Sequence, residues 1–312
     1  MKGVFLDSAT LGEEISLKPL ENLGVQWTFY QETEAQKILE RIAEAEIVIA
    51  NKSVLTRQIL QSAPHLKLIC VAATGYNNID MEAAQELNIA VCNVPGYSTE
   101  SVIQLVMTFL LASAFSLVSY IEDVKAGKWQ NQSQFCLLTH PIIELRGKKL
   151  GVIGYGTLGK QIAALARNFG MDILIATHTN SKKSQEETTS LKEVLCKSDF
   201  VTLHVPLTAQ TKDLIRRQEI ELMKPTAFLI NTARGGVVNE CLKEKRIAGA
   251  CCDVLSEEPP KKDHPLLDPT IPNLSLTPHI GWASFEARVR LVKLLRANIE
   301  AFLQGKSQNL IT

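Results

Sequence analysis

The sequence predicts an α/β fold of two doubly wound parallel-sheet domains, and three observations predict it. Short apolar, β-branched runs alternate with segments of helical spacing along the chain. The runs are apolar nearly throughout, as strands covered on both faces of a parallel sheet are. The alternation restarts near residue 150, and 312 residues suit two domains.

In the first half GVFLD (3–7), VQWTF (25–29), EIVIA (46–50), LKLICV (66–71) and IAVCN (89–93) are strands, with helical spacing at 33–44, 56–62 and 80–87. Ser98 or Thr99 caps a long helix, uncharged from Ser101 to Ile121. Gln104, Thr108, Ser113, Ser116 and Ser119 dilute its apolar run, so a buried core helix is expected rather than a membrane span. LGVIG (150–154), DILIAT (172–177), FVTLHV (200–205), AFLIN (227–231), GACCDV (249–254) and LSLT (274–277) form a second set of strands, joined by helical segments such as 158–169, 190–197 and 213–222. A last helix runs from about Ser284 to Gln304. Phe285, Val289, Val292, Leu295, Ile299 and Phe302 form its apolar stripe, which is expected to return to the first sheet.

Composition narrows the partners. Lys plus Arg number 33, as do Asp plus Glu, so no net charge attracts nucleic acid or an anionic membrane. Seven cysteines without a CxxC pair argue against a zinc site or a disulfide framework, and no other metal site is indicated. Cys70, Cys92, Cys196 and Cys251 lie in apolar contexts that fit a reducing cytosol. MKGVFLD is broken by Asp7 and is not expected to be a signal peptide.

GYGTLG places Gly154, Gly156 and Gly159 in G-x-G-x-x-G spacing between a strand and a helix. Gly154 makes the tight turn, Gly156 lets backbone N–H groups approach a pyrophosphate, and Gly159 lets the helix pack on the sheet. An acid that holds the ribose of NAD is expected about twenty residues on, at the tip of the next strand. Thr177 stands there, followed by His178, Thr179, Asn180, Ser181, Lys182 and Lys183, all able to donate to a 2′-phosphate. Strict selection of NAD is therefore not expected, and NADP use is open.

Hydride transfer to a carbonyl needs a proton donor and usually a cation for the substrate's acid group. Both belong at the carboxyl ends of the strands. The tips offer Arg234 in NTARGG, Asp253, Glu257 and Glu258 in DVLSEEPP, His279 in PHIG and His204 at the end of FVTLHV. Position alone leaves His204 and His279 as alternatives.

GYGTLGKQIAALARNFGM, LHVPLTAQTKDLI, MKPTAFLINTARGGVV, DVLSEEPP and LTPHIGWAS together resemble the D-isomer-specific 2-hydroxyacid dehydrogenase family. VFLDSATLG, IVIANKSVLT, ATGYNNID and NVPGYSTESV resemble its glycerate dehydrogenase (hydroxypyruvate reductase) branch. The resemblance implies a flavodoxin-like substrate domain (1–98 plus 284–312), a Rossmann dinucleotide domain (99–283) and a cleft that closes on substrate. It implies a cytoplasmic homodimer that transfers a hydride between NAD(P)H and a small 2-keto acid, most simply hydroxypyruvate or glyoxylate. A cofactor-sensing, non-enzymatic protein of the same fold, or another 2-hydroxyacid specificity, is the alternative. By the resemblance Arg234 binds the substrate carboxylate, His279 rather than His204 moves the proton, and Glu258 favours the protonated ring. Thr74, Gly75 and Lys52 would contact the substrate. Gly154, Tyr155, Gly156, Thr157, Leu158, Gly159, Thr177, His178, Val205, Pro206, Thr211, Thr232, Ala233, Asp253 and Gly281 would hold the cofactor. One departure is a crossover at 237–250 shorter than the family's by about five residues, about one and a half helical turns.

If the tip at Thr177 selects the cofactor, Thr177→Asp should move the ratio of NADH to NADPH efficiencies toward NADH. A carboxylate set against the 2′-phosphate costs on the order of 1 kcal/mol, a several-fold change. A ratio that does not move would show that selection lies elsewhere.

Overall fold

The computed structural model describes residues 1–176, 187–238, 246–271 and 273–311. The chain divides into two compact units, Met1–Ser98 with Trp282–Thr312, and Thr99–Gly281. Thr177, His178 and most of the short crossover (239–245) lie outside the described residues.

The first unit holds β1 (Lys2–Phe5), β2 (Gln26–Phe29), β3 (Ile47–Ala50), β4 (Leu68–Val71) and β5 (Ala90–Cys92) in the order β2-β1-β3-β4-β5. All pairings are parallel. Register explains why these strands are apolar at every position. The row Val4–Val48–Ile69–Val91 points to one face, where Ile38, Ile42, Leu60 and Ala83 cover it. The next row, Phe5–Ile49–Cys70–Cys92, points to the other face. The C-terminal helix Phe285–Leu303 covers that second row with Ala287, Leu291, Val292, Leu295 and Ile299. Each fully buried side chain of this size contributes about 1.5–3 kcal/mol, so neither face is stable bare. The buried stripe differs from the expected one at its start. Phe285 is exposed, and Ala287 and Leu291 fill the first turns instead, because Ser284 caps the helix through the Ala287 N–H and so sets its rotation.

The second unit holds β6 (Lys149–Ile153), β7 (Asp172–Ala176), β8 (Phe200–Leu203), β9 (Phe228–Asn231), β10 (Gly249–Cys252) and β11 (Leu274–Leu276). They are ordered β7-β6-β8-β9-β10-β11, again parallel. The strand order reverses at β6, so the crevice between the carboxyl ends of β6 and β8 is where such sheets bind ligands. One face is covered by helices Thr99–Ala114 and Thr157–Asn168, whose Ile103, Val106, Phe109, Leu110, Ile162, Ala163 and Ala166 pack with Val152, Phe200 and Ile230.

The uncharged stretch read from sequence as one helix is broken. Helix Thr99–Ala114 ends and Leu117–Lys125 begins at a bend of 62°. Ser116 sits there at φ 46, and residues of the returning arm take up the open ends: the Ile143 N–H donates to the Ala114 carbonyl (2.9 Å) and Ser116 Oγ to the Pro141 carbonyl (2.7 Å). No single described helix is long and apolar enough to cross a membrane.

The arm is tied to the second helix by a buried carboxylate. Asp123 accepts from Lys128 Nζ (2.6 Å) and Thr139 Oγ1 (2.9 Å) and pairs with His140 Nε2 (2.8 Å). The Lys128 ammonium, helped by Thr139 and His140, holds Asp123 from an ordinary 3.8 down to about 2. A carboxyl whose folded value is lowered stabilises the fold above its unfolded value and loses that contribution as pH falls through the folded one. The melting temperatures of the parent protein and Asp123→Asn should therefore differ most above pH 3.8 and converge toward about 2. A gap that is independent of pH would refute the knot.

Candidate active site

In the second unit the site grows from the glycine turn. Gly154 follows β6 at φ 95, a left-handed value that favours glycine, and a Cβ there would lie 2.5 Å from the His204 carbonyl oxygen. At Gly159 a Cβ would meet the Gly154 carbonyl oxygen at 2.2 Å. Gly156, the N-cap of helix Thr157–Asn168, has nothing within 4 Å of its Cβ position, so protein packing does not account for a glycine there. Open space at the positive end of a helix fits a pyrophosphate held by backbone N–H groups. Tyr155 and Leu158 are half-buried and Thr157 exposed around it.

Across the crevice His204 donates or accepts through Nε2 to Thr202 Oγ1 (2.9 Å). Burial pushes its imidazole down to about 3, which favours the neutral ring at physiological pH. Its Nδ1 and the Thr232 hydroxyl one strand over are buried without partners among the described residues. Unpaired buried polar atoms at neighbouring strand tips fit a polar ligand there. Val205 is buried and Pro206 exposed. The Thr211 hydroxyl is buried in the 206–211 turn, donating to the Pro206 carbonyl and accepting from the Thr208 N–H. The structure thus gives Thr211 a turn-shaping role.

Arg234 is presented by a turn that Asn231 builds. Asn231 is buried; its Nδ2 donates to the Arg234 carbonyl (3.0 Å) and its Oδ1 accepts the Ala233 N–H (3.1 Å). The guanidinium spends one donor on the Ala233 carbonyl (2.7 Å), and no acid pairs with it among the described residues. The next residue must be small: a Cβ on Gly235 would fall 1.9 Å from the Leu255 backbone. That close approach sets the β9 tip against the β10 tip.

Glu258 links the β10 tip to the β11 tip. One carboxylate oxygen accepts the Leu255 N–H (2.8 Å) and the other pairs with His279 Nδ1 (2.6 Å). The acceptor carboxylate fixes the proton on Nδ1, which leaves Nε2 without a partner among the described residues. Both side chains are about a third exposed, at 32% and 30%. His279 itself lies at φ 54, a strained value for a non-glycine residue, costing of order 1–3 kcal/mol. Buried Asp253 holds the strain in place: it accepts from Thr277 Oγ1 (2.6 Å) and from the N–H groups of Ile280 (2.8 Å) and Gly281 (2.7 Å). The sequence reading assigned Asp253 and Gly281 to the cofactor and missed this clamp. An acid one residue past a strand, opposite a PHIG turn, was the available signal.

The first unit carries the other named residues. Lys52 is exposed on a turn whose Asn51, Lys52 and Ser53 N–H groups all donate to the buried Asp7 carboxylate (2.9, 2.7 and 2.7 Å). Thr74 is exposed and Gly75 half-buried beyond β4, and the N–H groups of both lack acceptors among the described residues. Two such adjacent N–H groups leave hydrogen-bond donors available at the tip of β4.

Comparison with known proteins identifies the family. A family model described as D-isomer specific 2-hydroxyacid dehydrogenase, NAD binding domain, matches residues 107–281. A glycerate dehydrogenase of Methylorubrum extorquens is 40% identical over 316 residues, covering 99% of this chain and 98% of its own. A hydroxypyruvate reductase of Blautia hydrogenotrophica is 34% identical over 322 residues, covering 100% and 99%. The solved structure of an acyclic imino acid reductase (Bsp5) in complex with NADPH and D-Arg has a TM-score of 0.88 at 28% identity, covering 100% of both chains. The chain belongs to the D-isomer specific 2-hydroxyacid dehydrogenase family and is an oxidoreductase that works with a nicotinamide cofactor.

Proposed function

We propose that the chain reduces hydroxypyruvate or glyoxylate to D-glycerate or glycolate. The observation that carries the reading is the Glu258–His279 pair set beside the Arg234 turn on adjacent strand tips. Similarity to a glycerate dehydrogenase and a hydroxypyruvate reductase supports the substrate class. The glycine turn, Val205, Pro206, Thr232, Ala233, Asp253 and Gly281 would hold the cofactor, which supplies the hydride. Both NADH and NADPH are proposed: Thr177 carries no charge to repel a 2′-phosphate, and a similar solved structure holds NADPH.

Arg234 binds the substrate carboxylate and orients the keto group, a charge-assisted contact. Protonated His279 gives its Nε2 proton to the keto oxygen as the carbon is reduced, and neutral His279 takes a proton back from the hydroxyl in the reverse direction. Glu258 keeps Nδ1 protonated in both directions and so keeps Nε2 facing the reaction. In the first unit, the Thr74 and Gly75 N–H groups bind the substrate carboxylate, and the Lys52 ammonium adds positive charge.

We also place the protein in the cytosol as a homodimer. The described cysteines are unbridged, which suits a reducing compartment. The helix Leu117–Lys125 and its arm show Leu117, Val118 and Ile121, with Phe135 90% and Leu138 75% exposed. An apolar patch of this kind marks a protein contact.

A panel of hydroxypyruvate, glyoxylate and pyruvate with each cofactor tests the reading. Turnover is expected for the first two, and none with any pairing would sink it. His279→Ala should lower kcat by about 10²–10⁴-fold while NADH binding, read by its fluorescence, is retained. Separately, Phe135→Asp combined with Leu138→Asp should yield monomers in sedimentation. Dimers that persist would move the interface elsewhere.

A further inference from the structure

We infer that Asn93 is a positioning residue for the substrate carboxylate, and that Asn298 of the C-terminal helix holds it in place. The inference rests on the reading that the Thr74–Gly75 loop binds that carboxylate.

A trans peptide is planar, so its carbonyl and N–H point in opposite directions. Fixing a carbonyl therefore aims the N–H of the next residue. The Ala73 carbonyl accepts the Val94 N–H at 3.0 Å, which aims the Thr74 N–H away from the β5 tip. The Thr74 carbonyl accepts Asn93 Nδ2 at 2.7 Å, which aims the Gly75 N–H the same way. The Thr74 hydroxyl donates to the Val94 carbonyl at 3.0 Å, so its side chain is turned inward as well. Two consecutive carbonyls are thus drawn toward residues 93 and 94, and the two N–H groups left over have no acceptor among the described residues. One of the two carbonyls is held by backbone. The other depends on a side chain, and that side chain is Asn93.

Asn93 is itself buried, at 8% exposure, and held from behind. Its carbonyl accepts Asn298 Nδ2 at 2.9 Å, and its N–H donates to the Asn309 carbonyl at 3.3 Å. Asn298 is 2% exposed, and its Oδ1 accepts Asn309 Nδ2 at 2.8 Å. An amide side chain facing an otherwise apolar core is costly unless each group is paired, and here the pairs run in one chain from helix to loop. Leucine would serve the packing of that helix face better. The amide at 298 is accounted for by what it holds.

Replacing Asn93 with Asp removes the donor and sets a carboxylate oxygen against the Thr74 carbonyl. The Thr74–Gly75 peptide is then free to turn. The readout is oxalate, a dicarboxylate that resembles a keto acid but cannot be reduced, titrated into the NADH-loaded full-length protein. Asn93→Asp is expected to weaken oxalate about tenfold, the equivalent of one hydrogen bond, and to leave the NADH dissociation constant within twofold. Asn93→Ser, whose hydroxyl is too short to span the gap, should shift oxalate in the same direction. It decides the matter if Asn93→Asp does not fold. KM for glyoxylate should rise in parallel with kcat little changed, whereas a purely structural role would lower the melting temperature and weaken NADH together.

Gly75→Pro, which deletes the Gly75 N–H, separates the two readings. If it leaves oxalate binding unchanged, the loop does not take the carboxylate, and the underlying reading fails with the inference. If Gly75→Pro weakens oxalate but both Asn93 variants bind it as the parent does, the inference alone is overturned.

Discussion

An open parallel sheet covered on both faces leaves its backbone unpaired along its two edge strands and where the strands end. Everything functional in this chain follows from how those ends are tied off. Interior N–H and C=O groups are used up by neighbouring strands, and the faces are apolar in both rows. At the carboxyl ends the job falls to short side chains with fixed reach. Asp7 follows β1, Asn93 follows β5, Asn231 closes β9 and Asp253 follows β10. Each is buried, and each binds backbone groups of a neighbouring tip or of its own turn. Arg234 and His279, the side chains proposed to act on substrate, sit on turns that Asn231 and Asp253 hold. Precision at the site is therefore a property of the buried Asp and Asn residues as much as of the exposed ones.

The two histidines at strand tips show how placement decides chemistry. His204 and His279 both follow a strand of the same sheet. Burial keeps one neutral, with a threonine as its neighbour; the other lies partly in water with a carboxylate on Nδ1. The same imidazole is a fixed polar group in the first setting; the second is the setting proposed for proton transfer.

Much of this was legible in the sequence. Apolar runs gave all eleven strands to within a few residues, because a strand buried on both faces has few polar choices. The glycine turn was legible because its spacing reflects steric needs, and the Cβ positions at Gly154 and Gly159 bear that out. The break at Ser116 was not, since serine does not by itself select a left-handed conformation; the contacts of Ile143 and Pro141, far along the chain, make it. The exposure of Phe285 was missed because periodicity fixes a stripe only up to a rotation that the cap sets. The jobs of Asp7, Asn93 and Asp253 were hidden for a related reason. Each acts across 19 to 46 positions of sequence, on backbone atoms that any sequence would supply.

The C-terminal helix has a consequence for how the molecule is made. One face of the first sheet, from Phe5 to Cys92, is covered by Leu11, Ile15 and Leu20 near the start of the chain and by Ala287, Leu291, Val292, Leu295 and Ile299 of the C-terminal helix. On the ribosome those strands emerge before the C-terminal part of their cover, which follows the complete second unit. At typical elongation rates of about 5–20 residues per second, the area under that helix stands open for on the order of ten seconds or more. The second unit has no such wait, since all of its strands and the helices Thr99–Ala114 and Thr157–Asn168 lie within one continuous stretch. The order of folding is thus expected to run opposite to the order of synthesis: the middle of the chain settles first, and its beginning is finished by its end.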